Sequence, residues 1–334
     1  MADVTLKEKA ARFLGLVEGA QSIVLASHVN PDGDNLGSSG AMFDFICHQW
    51  PDKDLYFLHN DRVPKEFGFL PHMDRRVEPK DLDLDPDLFI ALDSSDEKRM
   101  GEEALDLFNR AKKRVNIDHH ASNTAYGDLN IVQKDQTSTG ELLMDLFKLL
   151  DYSVSPQGAT ALYTAISSDT GNFQYDSVTA KTHRNIADLL ESGAEFYKVT
   201  QALYQSKTPE KMALYLKCME RLEYHQEGLV SLAYIKNEDF KETGAYRSDT
   251  EGFVEELRNI KSVELAVFLV EREGYVKFSL RSKNWLDCTK IAESFGGGGH
   301  IRASGGSIDG SIEEARQALL ERIKEVFYER HSDC

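Results

Sequence analysis

Cysteine is scarce. The chain of 334 residues has four, Cys47, Cys218, Cys288 and Cys334, and no two of them stand at C-x-x-C spacing. That scatter excludes a zinc knuckle or a disulfide framework and fits a reducing, cytoplasmic setting. Basic charge is short as well: 39 Lys plus Arg stand against 56 Asp plus Glu, for a formal charge of −17. A field of that sign repels long polyanions and argues against binding to long duplex nucleic acid. No apolar run approaches the roughly 18 residues that a membrane-crossing helix needs. The opening MADVTLKEKAARFLGLVEGA reads as a charge-bearing amphipathic pattern rather than a signal peptide, so no membrane partner is expected. A small phosphorylated ligand stays open, because acidic residues that gather divalent cations form a locally positive site whatever the total charge.

What the chain does have is length and an apolar content of 41%, more than one core usually organises. The short run Ser22-Ile23-Val24-Leu25-Ala26-Ser27 ends abruptly at a polar, Pro/Gly-bearing loop and reads as a buried strand. The same pattern returns at Leu55–His59, Leu88–Asp93 and Arg114–Asp118, with helix-compatible segments between most of them, which implies a parallel sheet. Three of the four runs end in His or Asp clusters. In open α/β sheets the ligand crevice lies beyond the carboxyl ends of the strands, so these clusters are expected to converge. Residues 139–150 and 158–167 follow the helical period, and from Lys181 to Glu223 the chain is helix-like, interrupted at Gly193 and Pro209. Beyond it, Leu229–Ile235, Leu265–Glu271 and Tyr275–Arg281 read as strands, the last two joined by a turn at Glu273-Gly274, with helices near 250–260 and 312–330. The expectation is an α/β protein: a parallel-sheet domain over 1–190, a helical connector over 191–223, and a smaller mixed α/β domain over 224–334.

Four clusters carry chemistry in the first half. His28-Val29-Asn30-Pro31-Asp32-Gly33-Asp34 packs one imidazole and two carboxylates into seven residues. Carboxylates so close repel one another unless protonated or neutralised by a cation, although an Asp/Gly-rich turn has the same composition. Asp93 closes the run LFIALD, where a lone Asp usually caps the next helix. Asp118-His119-His120 closes another strand and is followed by Asn123. Adjacent residues on an extended chain point to opposite sides, so one His can ligate while the other faces substrate; a satisfied His pair at a strand end is an equal alternative. Asp169, beside Gly171 at a helix end, carries the weakest signal, that of an Asx turn. Together these clusters offer a mixed nitrogen and oxygen donor set suited to two divalent ions, with Mn²⁺ favoured by the imidazoles. Two such ions would acidify a bridging water for attack on phosphorus and stabilise charge on the phosphoryl oxygens.

In the second half, four consecutive glycines, Gly296–Gly299, run into His300 with Arg302 close by. Bare glycine backbone lets N–H groups approach phosphate oxygens, and His300 and Arg302 add donors. The stretch lacks G-K-[ST] and does not match the dinucleotide fingerprint, so it is neither a P-loop nor a hydride-transfer site. A flexible linker is the plain alternative. Arg281-Ser282-Lys283, at a strand end, offers further phosphate donors.

The motifs occur jointly and in an order that resembles the DHH phosphoesterase superfamily, and GGGGHIRASGG resembles the associated domain of its nanoRNase and pAp-phosphatase branch. The resemblance spans nearly the whole chain. It implies that His28, Asp32, Asp34, Asp93, His119 and Asp169 ligate two metal ions, with Asp93 bridging, and that His120 stands beside them as a catalytic group. It also implies that Arg281, Ser282, Gly297, Gly298, Gly299, His300 and Arg302 contact the substrate, His300 taking part in catalysis. The substrates so implied are short 5′-phosphorylated oligoribonucleotides or 3′-phosphoadenosine 5′-phosphate (pAp), taken in a cleft between the domains; a homodimer is an expectation of the family alone. Cyclic di-AMP phosphodiesterase, exopolyphosphatase or inorganic pyrophosphatase, and a metal-dependent nucleotide-binding module without turnover are the rival expectations.

Overall fold

Short β-branched runs bounded by caps and turns dictate the first half of the chain. In the computed structural model, which describes residues 5–58 and 61–332, the chain divides into two compact units, Met1–Ser206 and Lys207–Cys334. The first contains α1 (Leu6–Gly19), β1 (Ser22–Ala26), α2 (Gly33–Gln49), β2 (Asp54–Leu58), β3 (Arg76–Val77), β4 (Leu88–Leu92), α3 (Glu102–Arg110), β5 (Lys113–Asp118) and β6 (Leu129–Val132). It continues through α4 (Thr139–Leu149), α5 (Pro156–Asp169), α6 (Ala180–Glu191) and α7 (Phe196–Tyr204). Side-chain caps set most of the helix starts: Thr5 with Glu8 before α1, Asp32 before α2, Ser138 before α4, Ser155 before α5 and Thr179 before α6.

The six strands lie in the order β3-β2-β1-β4-β5-β6, all parallel. The order therefore reverses between β1 and β4, the switch point at which a crevice opens beyond the strand ends. Both faces are covered, so β4 is buried throughout and β1 from Ile23 onward, and α2 is buried from Gly33 to Ile46 because α4 and α5 enclose it. The four expected strands are present. Two more, β3 with two residues and β6 with four, are too short for their composition to announce; His59, expected at the end of β2, lies outside the described residues.

The second unit contains α8 (Pro209–Glu220), β7 (Glu223–His225), β8 (Val230–Ile235), α9 (Asn237–Thr243), α10 (Phe253–Asn259), β9 (Leu265–Glu271) and β10 (Tyr275–Ser282). It ends with α11 (Thr289–Ala292), β11 (Gly298–His300), β12 (Ala303–Asp309) and α12 (Ile312–Ser332). Its sheet, β11-β12-β10-β9-β8-β7, is antiparallel except for the β8–β9 pair. The even positions of β10, Val276, Phe278 and Leu280, pack with α11 and α12 in one core; a second core between β8, β9 and helices α8 to α10 covers part of the other face. The span 191–223, expected as a connector, is shared out: α7 packs on α5 of the first unit and α8 on β8 and α9 of the second. The glycine-rich stretch is not a linker but a hairpin, β11–β12, added to the edge of the sheet. No helix among the described residues is long and apolar enough to cross a membrane.

Candidate functional site

The first unit gathers His28, Asp32, Asp34, Asp93, His119, His120 and Asp169 beyond the carboxyl ends of its central strands. His28 follows β1, and its Nδ1 lies 2.8 Å from the carbonyl oxygen of Val29. A proton donated there leaves Nε2 bare and aimed at Asp93 Oδ2, 3.4 Å away, and at Asp32 Oδ2, 3.8 Å away. Asp32 caps α2 by accepting from the Asn35 amide at 3.0 Å. His119 follows β5 in the same fashion: Nδ1 faces the Gln136 carbonyl at 3.3 Å, and Nε2 lies 3.1 Å from Asp169, 3.7 Å from Asp34 and 3.8 Å from Asp93 Oδ1. Asp93 thus turns one oxygen towards His28 and the other towards His119.

His120 differs in which nitrogen is engaged. Its Nδ1 donates to Asp118 Oδ1 at 2.7 Å, and the second oxygen of the fully buried Asp118 accepts from Asn123 Nδ2 at 2.6 Å. Asn123 is itself held by the buried Asn116 at 2.8 Å. A carboxylate pinned this way fixes the imidazole tautomer and leaves Nε2 free.

Composition did not single out the groups that hold these carboxylates. The amides of Thr139 and Gly140, at the first turn of α4, donate to the two oxygens of Asp34 at 2.7 and 2.9 Å, and Ser38 adds a third bond at 2.9 Å. A helix N-terminus aimed at a buried carboxylate favours its charge. The Thr139 hydroxyl donates to Asp93 Oδ1 at 3.0 Å. The sequence trace of this arrangement is slight: Ser138 and Glu141 around Thr139-Gly140 mark a helix start, but not what it points at. Asp93, expected as the last strand residue, instead lies just past β4 in the left-handed region with φ of 51°. Asn30, Asn172 and Phe173, in the loops that carry His28, Asp32 and Asp169, share that conformation, a concentration of strain that recurs at functional sites.

Electrostatics shows how these groups oppose and compensate one another. Burial, then the charge of Asp93, pushes Asp32 up to about 6, and burial with Asp93 and Asp169 pushes the deeper Asp34 well above the usual range. Burial would also raise Asp93, but His28 beside it and the charges of His120 and His119 outweigh it and hold Asp93 down to about 2. Burial lowers His119, yet Asp169, Asp34 and Asp93 together take it up to about 10. The His119 imidazole is therefore a cation of this cluster in the metal-free protein. Two trios, His28-Asp32-Asp93 and Asp34-His119-Asp169, each offer ligand atoms within 4.8 Å of one another. Such hard oxygens with one imidazole per trio fit divalent ions, which would neutralise the repulsion that raises Asp32 and Asp34. A third grouping, Asp93-His119-His120, includes His120, whose Nδ1 is already bonded to Asp118.

The second unit places its candidates in rows across three strands. His300 pairs with Ala303 and Ala303 with Arg281, so the three share one face, and Gly298, Gly305 and Ser279 form the next row. Arg281 donates through Nε to Glu255 at 2.9 Å. Ser282 points to the opposite face and is buried, and Arg302 is bound to the carbonyls of Leu286 and Asn284, fastening the loop after β10. The glycines are not equivalent. A Cβ on Gly297 would stand 2.3 Å from the Gly305 carbonyl oxygen, and one on Gly299 2.5 Å from that of Ala303, whereas one on Gly298 would meet nothing within 4 Å.

Comparison with known proteins matches the same two regions. Residues 22–166 match the DHH family N-terminal domain and residues 230–329 the DHHA1 domain. A bifunctional oligoribonuclease and PAP phosphatase NrnA of Thermus thermophilus is 31% identical over 316 residues, 94% of this chain and 92% of that relative. The protein of the same description from Bacillus subtilis is 26% identical over 320 residues, covering 95% and 97%. The crystal structure of an exopolyphosphatase-related protein from Bacteroides fragilis matches with a TM-score of 0.90 at 27% identity, covering 97% of this chain and 98% of that one. That of the exonuclease RecJ bound to manganese, at 14% identity and a TM-score of 0.53 over 95% and 93% of the chains, shares the fold.

Proposed function

The chain belongs to the DHH family, and on that footing we propose that it hydrolyses short 5′-phosphorylated oligoribonucleotides to mononucleotides and pAp to AMP. The observation that carries the reading is Asp93, whose two oxygens face two separate donor trios, as a carboxylate shared by two ions requires. In this reading His28, Asp32 and Asp93 hold one ion and Asp34, Asp93, His119 and Asp169 the other, with Mn²⁺ the metal suited to the imidazoles. Divalent ions held there would supply charge stabilisation at the phosphoryl oxygens and an acidified water.

The chain's own residues do the positioning. Val29 and Gln136 keep the Nε2 atoms of His28 and His119 forward, and Thr139 with the α4 amides holds Asp93 and Asp34 in place. His120 sits at the edge of the cluster with its pKa raised, first by the Asp118 hydrogen bond. That upward shift and the unengaged Nε2 suit it to donate to the departing sugar oxygen. Arg281, His300 and the amides around Gly298 are assigned to the non-reacting part of the substrate, a role supported by their shared face and by the similarity of this region to the DHHA1 domain. A cytoplasmic setting accords with Cys47, Cys218 and Cys288, which are all free.

The test is a substrate panel with Mn²⁺: a 5′-phosphorylated dinucleotide, longer RNA, pAp, cyclic di-AMP, pyrophosphate and polyphosphate. The expected result is mononucleotide from the dinucleotide and AMP from pAp. Turnover confined to pyrophosphate or polyphosphate would move the assignment to the exopolyphosphatase class, and nucleotide binding with no turnover would reduce the protein to a binding module.

A further inference from the structure

One face of the second unit's sheet is only half covered. Helices α8 to α10 close it over β8 and β9 and reach the Arg281 end of β10 through Glu255. The remainder of β10 with β12 and β11 is a groove of about 480 Å³, lined by Tyr275, Lys277, Ser279, Arg281, Gly298 and Ser307 among others. The composition of this face is unusual for so acidic a chain. Along β10 the outward positions are Tyr275, Lys277, Ser279 and Arg281, and their partners on β12 are Asp309, Ser307, Gly305 and Ala303, all small except the first. The strand therefore presents the unpaired Lys277, the Glu255-paired Arg281 and an aromatic ring over a floor of small residues. Lys277 is exposed and has no ion-pair or hydrogen-bond partner among the described residues. Gly298, the β11 member of the floor, has no left-handed backbone and no neighbour that a Cβ would strike, so the fold does not require glycine there.

A basic groove with an aromatic platform is how proteins track single-stranded nucleic acid without reading its sequence. The geometry points to a track for oligonucleotides longer than two: we propose that Lys277 binds a phosphate beyond the one assigned to Arg281, and that Tyr275 stacks on the base at the far end. This rests on the oligoribonuclease reading and extends it to substrate length. Four residues along a strand separate the Cα atoms of Arg281 and Lys277 by about 13 Å, more than a single phosphate spans. A dinucleotide with a 5′-phosphate carries two phosphates; the third, which a trinucleotide brings, falls to Lys277. Asp309, opposite Tyr275, sets a negative charge at the end of the row and bars a fourth.

The experiment compares 5′-phosphorylated di-, tri- and tetranucleotides in the wild-type protein and in the Lys277→Gln and Lys277→Arg variants. In Lys277→Gln the ratio of trinucleotide to dinucleotide KM rises roughly tenfold, with no further rise for the tetranucleotide. The slope of log affinity for the trinucleotide against log salt falls by about 0.7, and Lys277→Arg restores both. An equal change on all three lengths, or none, overturns the track. Titration calorimetry without metal makes the same comparison without turnover. Wild-type protein that hydrolyses no oligonucleotide yet binds the trinucleotide through Lys277 overturns the hydrolase reading and keeps the track, whereas active protein whose length preference ignores Lys277 overturns the track alone.

Discussion

The two units handle charge in opposite ways. In the first, Asp34, Asp93 and Asp118 are buried at 0%, 2% and 0% exposure; Asp34 and Asp93 take donors from α4, and Asp118 from the loop after β5. In the second, Lys277 and Arg281 stand on a half-open strand face opposite Ser307 and Ala303. Enclosed charge is expensive and fixes geometry, which suits the bonds that react. Exposed charge over bare backbone is adaptable and costs little, which suits a substrate whose sequence does not matter.

The contrast is broken most severely by Asp93→Asn. Asparagine tolerates the left-handed backbone, so the fold stays, while the shared carboxylate becomes a neutral amide. The expectation is a loss on the order of 1000-fold in kcat, with an unchanged circular dichroism spectrum; activity within tenfold of wild type removes Asp93 from the centre. Thr139→Val sharpens the same point, since it keeps the α4 amides on Asp34 and removes only the hydroxyl on Asp93. Weakening of Mn²⁺ binding by roughly 10- to 100-fold is expected, read by calorimetry, and no change would mean that the amides alone suffice.

Proton release is the third measure. His119, held up at about 10, carries a proton at neutral pH in the metal-free protein, and ligation requires it neutral. Each proton released tightens the apparent Mn²⁺ affinity by about tenfold per pH unit as pH rises, and a flat profile between pH 6 and pH 8, values at which an unperturbed imidazole would change charge, would contradict the protonated cluster. Asp32, raised to about 6, adds to the release only below that pH. The smallest effect lies in the second unit. Gly297→Ala, pressed on a carbonyl, costs about 1–3 kcal/mol of stability; Gly298→Ala leaves stability within about 0.5 kcal/mol but raises the oligonucleotide KM a few-fold. Equal melting temperatures for the two variants would erase the distinction between fold-bound and ligand-facing glycines.

Much of this was legible in the sequence because the first unit writes its chemistry in side chains at element ends. His28, Asp93 and the Asp118-His119-His120 run follow strands whose apolar runs are plain, and Asp169 ends a periodic helix. What holds them was not legible, since the groups on Asp34 are largely amides, which every residue but proline carries, and only the packing of α4 against α2 aims them. The second unit was harder to read for a different reason. Glycine is a poor strand former on its own, so β12 exists through pairing with β10, twenty or more residues earlier, and β11 through pairing with β12. Arg302 and Ser282 illustrate the same blindness: residue type suggests phosphate donors, but register turns Ser282 inward and ties Arg302 to a loop.

The backbone angle at Asp93 has a consequence for how this position can vary. A φ of 51° admits glycine, asparagine and aspartate with ease and penalises most others. The centre asks for a carboxylate of fixed reach, which admits aspartate and, at a stretch, glutamate. On the two-ion reading the two sets of permitted residues overlap in aspartate alone: glutamate would strain the backbone, and asparagine or glycine would remove the carboxylate.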